Sequence, residues 1–269
     1  MKFLAIFFLS LFVSSESMTE YEIEHESIKR TYLKYIPIDI DLKNEVDLFI
    51  GLHGYTGTAS GFEKQTTGGF NEAAEKYQFI AIYPQGLYFN SIENNSSSFV
   101  SSWNDLVGSR TKTPNGEICS IDAYSYPQYP NCSEGGRCSY TSCNDDLGFI
   151  KKVIDRAKAD HKIRDIYLLG MSNGGNMAQA LACKYPTTFK GVVNIVGMQH
   201  KDLSCIPDKP VNFIIYGAMK DTIVPPINIK SSDGYFYEPM RDTFEDKMLE
   251  KYAGNVRIFD NDSYNKYLS

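Results

Sequence analysis

The chain has 269 residues, of which 42% are hydrophobic and 22% charged, and a formal net charge of −6. That length suits one large α/β domain, and no composition break divides it. The mild acidity excludes a surface built to neutralise phosphate backbones, so no nucleic-acid partner is expected.

The N-terminus reads as an export signal. Lys2 supplies the basic start, Phe3 to Val13 form a short apolar core, and Ser14, Ser15 and Ser17 offer small residues for cleavage. About eleven apolar residues are too few to span a bilayer, and no later stretch is longer. Residues 1–17 are therefore expected to be removed, leaving 18–269 as a secreted single domain with no membrane partner. In an exported protein the six cysteines read as disulfide material. Cys119, Cys132, Cys138 and Cys143 cluster in one stretch, with spacings that fit no common zinc pattern. If these four pair among themselves, three connectivities are open, and Cys183 and Cys205 remain. Asn94, Asn95, Asn131 and Asn261 stand in Asn-x-Ser sequons compatible with glycosylation.

Residues 21–50 read as early strands, with loose alternation over Ile28 to Ile36 and a buried run at Val46 to Ile50. Gly51-Leu52-His53-Gly54-Tyr55-Thr56-Gly57 follows at once. Glycines here let the backbone approach a substrate and aim N–H groups at a developing alkoxide. His53 in such a setting is expected to order the loop rather than move protons. Phe62 to Tyr77 has a helical apolar face, and Phe79 to Tyr83 is a buried strand closed by Pro84.

From about 87 to 143 the periodicity disappears, which predicts a long disulfide-containing loop insertion over the rim of the site. It holds Trp103, the chain's single tryptophan, for which substrate contact and packing under the loop both stand as readings. Asp145 and Asp146 open a predicted helix to about Ala159, where two acids suit the cap and the dipole.

The strand Ile166 to Leu169 then runs into Gly170-Met171-Ser172-Asn173-Gly174-Gly175 and a helical stretch, Asn176 to Ala182. Gly-x-Ser-x-Gly between a strand and a helix is the nucleophile elbow of the α/β hydrolases. The serine sits on a strained turn, and the flanking glycines pass too close to neighbouring backbone for a Cβ. In that frame Ser172 is the candidate nucleophile, and the N–H groups of Asn173 and Tyr55 form the oxyanion hole.

Two more strands, Gly191 to Val196 and Val211 to Tyr216, complete an alternation that predicts a mostly parallel sheet flanked by helices, with its site at the strands' C-terminal ends. Gly217 to Pro225 follows the last of these, and Asp221 occupies the slot for the acid that orients a catalytic imidazole. Beyond it come a helix-like Arg241 to Tyr252 and a candidate strand, Val256 to Phe259. The fold's order then asks for a histidine after the acid. His25, His53, His161 and His200 all precede Asp221. His200, after the strand Gly191 to Val196, is the candidate substitute base. The C-terminal part thus reads as shortened, with the histidine expected beyond Ser269.

Asp145 to Ile150, Tyr167 to Met177, Leu181 to Pro186 with Phe189, Cys205 to Val211 and the loop Tyr216 to Pro225 together resemble the polyhydroxybutyrate depolymerase and feruloyl esterase family of secreted α/β hydrolases. That resemblance implies Ser172 as nucleophile, Asp221 as acid and a Cys183–Cys205 disulfide, with no metal or organic cofactor. It also implies ester substrates, either feruloyl and acetyl esters on plant polysaccharides or short polyesters. The family usually has histidine where Tyr216 stands, and a Gly-His motif near its C-terminus has no counterpart here. Three functional expectations follow. The chain is a secreted serine esterase, or a catalytically impaired hydrolase-fold protein that binds carbohydrate or polyester, or an incomplete chain lacking the last strand and helix of the sheet.

Overall fold

A computed structural model describes residues 18–65, 69–93, 96–105, 112–113, 116–117, 144–199, 207–218, 220–225 and 257–259. In β1 (Thr19–His25) glutamates alternate with Tyr21 and Ile23, and the chain turns back as β2 (Ile28–Tyr35). Glu26 and Ser27 form the two-residue turn with φ of 49° and 62°, the hand that matches the right-handed twist of the strands. The almost wholly apolar β3 (Val46–Leu52) pairs in parallel with β4 (Phe79–Pro84). Such a run suits a strand covered on both faces.

Between them lie α1 (Ala59–Gln65) and α2 (Gly69–Tyr77). The single helix expected over Phe62 to Tyr77 is therefore two. Thr66, Thr67 and Gly68 are poor helix formers, and Gly69 stands at φ 62°, outside the right-handed helical region.

β5 (Leu87–Glu93) and β6 (Ser96–Ser102) form an antiparallel hairpin, in register from Leu87↔Ser102. The insertion expected to be structureless from 87 therefore begins as a β-ribbon, and β7 (Lys112–Thr113) and β8 (Gly116–Glu117) add a second short one. The serine-rich β6 lacks the apolar alternation that would announce a strand.

Helix α3 (Asp146–Asp160), β9 (Ile163–Met171), α4 (Asn173–Lys184), β10 (Gly191–Ile195), β11 (Phe213–Tyr216) and β12 (Arg257–Phe259) complete the described elements. The main sheet has eight strands in the order β1-β2-β4-β3-β9-β10-β11-β12. From β4 to β12 every neighbouring pair is parallel, so these strands present their C-terminal ends at one edge. β12 pairs with β11 from Ile214↔Arg257 to Tyr216↔Phe259, so the candidate strand Val256 to Phe259 joins the sheet.

Side-chain alternation divides the core in two. Leu48, Ile50, Ile80, Ile82, Leu168 and Val192 pack with Phe149, Ile150 and Val153 of α3 and Met177, Ala178 and Leu181 of α4. Ala81, Tyr83 and partly buried Phe49 and Leu169 group instead with Phe62 of α1 and Ala74 of α2. Cys183, in the last turn of α4, is disulfide-bonded, and its partner lies outside the described residues. Also outside them lie residues 1–17, His200, the other cysteines, the four sequons and the stretch Arg241 to Tyr252. Among the described residues, no helix is long and apolar enough to cross a membrane.

The two acids at the start of α3 do different work. Asp145 is the N-cap, accepting the Gly148 N–H at 2.9 Å, and it also meets the His25 ring at 3.0 Å. Asp146 is fully buried and pairs with Arg30, itself only 2% exposed. Its other oxygen accepts the Asn104 N–H at 2.7 Å, and the Arg30 guanidinium lies 3.9 Å over the Phe149 ring. Removing one partner strands a buried charge. Asp146→Ala is expected to cost about 3–5 kcal/mol in urea unfolding. A loss under about 1 kcal/mol would mean that water reaches the pair.

Candidate active site

The β9–α4 turn at the sheet's C-terminal edge holds a strained residue. Ser172 has φ 54° and ψ −122°, a conformation that L residues rarely adopt. Holding a non-glycine residue there costs about 1–3 kcal/mol. Ser172 stands at the N-cap of α4, where a serine ordinarily turns its hydroxyl onto the helix N–H groups. Here its side chain makes no capping hydrogen bond. Its backbone N–H donates to the carbonyl of Ile195 on β10 at 2.7 Å, which ties the turn to the next strand.

Neighbouring glycines make room for the bend. A Cβ on Gly170 would lie 1.9 Å from the Gly174 carbonyl oxygen, and one on Gly174 would lie 2.3 Å from that of Leu52. α4 thus starts in direct contact with the end of β3. The β3 loop also reaches the serine, since a Cβ on Gly54 would stand 3.4 Å from the Ser172 Cβ. Tyr55, the next residue, is half-buried.

His53 lies in that loop and is 1% exposed. Its Nδ1–H donates to the Gly54 carbonyl at 2.8 Å, while Nε2 accepts the Gly86 N–H at 3.0 Å. Those partners require the neutral ring with its proton on Nδ1. Burial pushes the pKa of His53 down to about 4, with the bond to Gly54 acting weakly against it. The expectation that His53 orders the loop holds, and the ring has no nitrogen left to take a proton from serine. Because the folded pKa lies below the ordinary 6.5, the unfolded chain binds a proton that the folded chain does not. Stability from this group is whole above about pH 6.5 and falls as pH drops towards 4, by about 3 kcal/mol in all. Burial also lowers the pKa of His161, which adds loss of the same sign. Denaturant midpoints between pH 7 and 4.5 should show the decline, and His53→Gln should flatten it from a lower starting value. Equal slopes in the two proteins would contradict this.

A third segment clamps the loop to the elbow. Trp103 is fully buried, so packing rather than substrate contact is its role, and its indole N–H donates to the His53 carbonyl at 2.8 Å. The Asn173 carboxamide oxygen accepts the Trp103 N–H at 2.8 Å and the Ser102 hydroxyl at 3.0 Å. Its nitrogen donates to the Trp103 carbonyl at 3.2 Å and to Asp105 Oδ2 at 3.1 Å. Asn176 Nδ2 reaches the same Asp105 oxygen at 2.9 Å. Sequence reasoning missed Ser102 and Asp105 altogether. Their only signal is a run of polar residues around the single tryptophan.

Asp221 follows β11, which stands two strands from β9 in the sheet. Its Oδ1 accepts the N–H groups of Ile223 at 2.8 Å and Val224 at 3.0 Å, which fixes the loop. Three of the four histidines stand elsewhere. His25 ends β1, four strands from β9, and is held by Asp145. His53 is committed as described. His161 precedes β9 at its far end, about 30 Å from Ser172 at about 3.3 Å per residue. His200 lies outside the described residues, next after buried Gln199 and five residues beyond the end of β10.

Comparison with known proteins bears on the fold. No family model matches the chain. A thermostable esterase of solved structure superposes with a TM-score of 0.54 at 15% identity, covering 90% of this chain and 54% of that one. The fold is that of the α/β hydrolases. A second solved structure, the poly(3-hydroxybutyrate) depolymerase of Bordetella parapertussis, superposes with a TM-score of 0.53 at 11% identity, covering 92% of this chain and 84% of that one. Among curated proteins, poly(3-hydroxyalkanoate) depolymerase C of Paucimonas lemoignei is 26% identical over 156 residues. That match takes in 57% of this chain and 28% of the depolymerase, so the chain spans under a third of this relative. The resemblance to polyhydroxybutyrate depolymerases and esterases, read from the elbow and acid-loop motifs, is borne out, and these relatives are carboxylic ester hydrolases.

Proposed function

We propose that the protein is a secreted serine-type carboxylic ester hydrolase, with Ser172 as nucleophile. The observation that carries this reading is the strained backbone of Ser172, whose side chain leaves the helix cap unserved. Strain kept at a residue with no packing reason for it is a mark of function. Ser172 Oγ attacks the ester carbonyl while its proton passes to a base. The N–H groups of Asn173 and Tyr55 hold the resulting oxyanion. Collapse expels the alcohol, which takes the proton, and water then releases the acid from the acyl-enzyme. Asp221 is the acid that orients the base, and His200 is the candidate for that base, since His25, His53 and His161 are placed elsewhere or committed. Cys183 pairs with Cys205 in this reading, next to the segment that carries His200.

Substrates are drawn from two ester classes, hydroxyalkanoate polyesters and feruloyl or acetyl esters on plant polysaccharides. Similarity to the poly(3-hydroxyalkanoate) depolymerase supports the first. A second reading rests on a specific observation, that among the described residues His25, His53 and His161 are each held away from the serine proton. Under it the chain binds carbohydrate or polyester on a hydrolase fold without turnover. Assays of the purified chain on p-nitrophenyl acetate, methyl ferulate and 3-hydroxybutyrate oligomers separate the two. Release of acid from any of them supports the hydrolase, and binding with no release supports the rival.

A further inference from the structure

The hydrolase reading leaves open what keeps the Asn173 N–H aimed at the oxyanion. That group opens α4, where N–H groups lack partners within the helix and a rotation of the first turn would swing them away. The side chain of Asn173 cannot cap its own helix here, because all four of its hydrogen-bonding positions are committed to residues 102–105. In this short segment Asp105 brings the only ionisable side chain, and it is 3% exposed. Its Oδ2 gathers two carboxamides one turn apart on α4, those of Asn173 and Asn176. A carboxylate acceptor makes such bonds shorter and stronger than a neutral one, and its charge complements the N-terminal end of the helix dipole. The same segment holds the other half of the oxyanion hole through the Trp103 indole and the His53 carbonyl.

We propose that Asp105 is a positioning residue for ester hydrolysis: its buried carboxylate fixes the first turn of α4 through Asn173 and Asn176, and so the Asn173 N–H that receives the oxyanion. The proposal rests on the hydrolase reading. Asp105 acts through the carboxamides of Asn173 and Asn176, so its removal should weaken transition-state binding more than substrate binding. Full loss of one oxyanion donor costs about 10²–10³ in kcat. A loosened donor should cost less, on the order of tenfold.

The test compares wild type, Asp105→Asn, Asp105→Ala, Asn173→Ala and the Asp105→Ala/Asn173→Ala pair on p-nitrophenyl acetate, with phenylboronic acid as a tetrahedral mimic. The expected result is kcat down about tenfold in Asp105→Asn and further in Asp105→Ala, with KM within twofold. Boronate affinity should fall in step with kcat/KM. In the Asn173→Ala background, Asp105→Ala should have little further effect, since both act through one contact. A purely structural role would lower the melting midpoint yet leave boronate affinity and the additivity of the pair untouched. Full activity in folded Asp105→Ala, additive losses in the pair, or failure of both single Asp105 variants to fold would each overturn the proposal. An inactive wild type would instead overturn the hydrolase reading on which it stands.

Discussion

Ser172→Ala should abolish ester hydrolysis and leave the fold intact. In a serine enzyme with its base in place, loss of the nucleophile costs up to about 10⁶ in kcat. If His200 serves as an imperfect base here, the wild-type rate starts lower and the drop is smaller, at least about 10³. Alanine has the same Cβ as serine, so it inherits the φ of 54° without a new clash. The hydroxyl it lacks makes no cap to α4, so stability should change by less than about 0.5 kcal/mol. Ser172→Gly should instead gain about 1 kcal/mol, because glycine adopts positive φ without steric cost. Inactive variants that are as stable as wild type, or more so, indicate a residue kept for chemistry against its own backbone preference. If Ser172→Ala retained its rate, the elbow would be an architectural relic.

The second large effect concerns folding. Gly174 lies inside helix α4, where replacing glycine by alanine ordinarily gains about 1 kcal/mol. Here the new Cβ would stand 2.3 Å from the Leu52 carbonyl oxygen and 2.4 Å from that of His53. Neither oxygen sits on a flexible side chain. Relief would require α4 to lift away from the end of β3, opening the core beneath Met177, Ala178 and Leu181. Gly174→Ala should therefore cost more than about 4 kcal/mol and accumulate as insoluble protein. Gly191→Ala is the control, since its Cβ would meet Tyr167 no closer than 3.4 Å. It should change stability by less than about 1 kcal/mol. A soluble, cooperatively melting Gly174→Ala would show that α4 is not pressed on the β3 loop as described.

These two cases also show what was readable in the letters. Close backbone contact leaves glycine as the only tolerated residue, so Gly170 and Gly174 stand out in a short window. Strands buried on both faces, such as β3 and β4, likewise announce themselves as apolar runs. Features decided by distant pairing were not readable. Asp105 meets Asn173 across 68 positions and Arg30 meets Asp146 across 116, and no local pattern marks either pairing. Asp146 was understood as a helix-dipole residue, although its burial with Arg30 comes from the way β2 lies against α3. The β5–β6 hairpin carries no strand signature in its sequence, because its second strand is built mostly of serine. Over Phe62 to Tyr77 the apolar spacing carries across the break before Gly69, so it predicts one helix, while the φ of that glycine shows only in the fold.

Covalent capture tests the central claim most directly. A fluorophosphonate phosphorylates a serine hydroxyl only where a base and an oxyanion hole act on it. After incubation with the purified chain, peptide mapping by mass spectrometry should place a single adduct on Ser172. Labelling should be lost in Ser172→Ala and slowed in His200→Gln. A folded chain that carries no adduct at Ser172, or carries it on another residue, would contradict the assignment of this protein as a serine esterase.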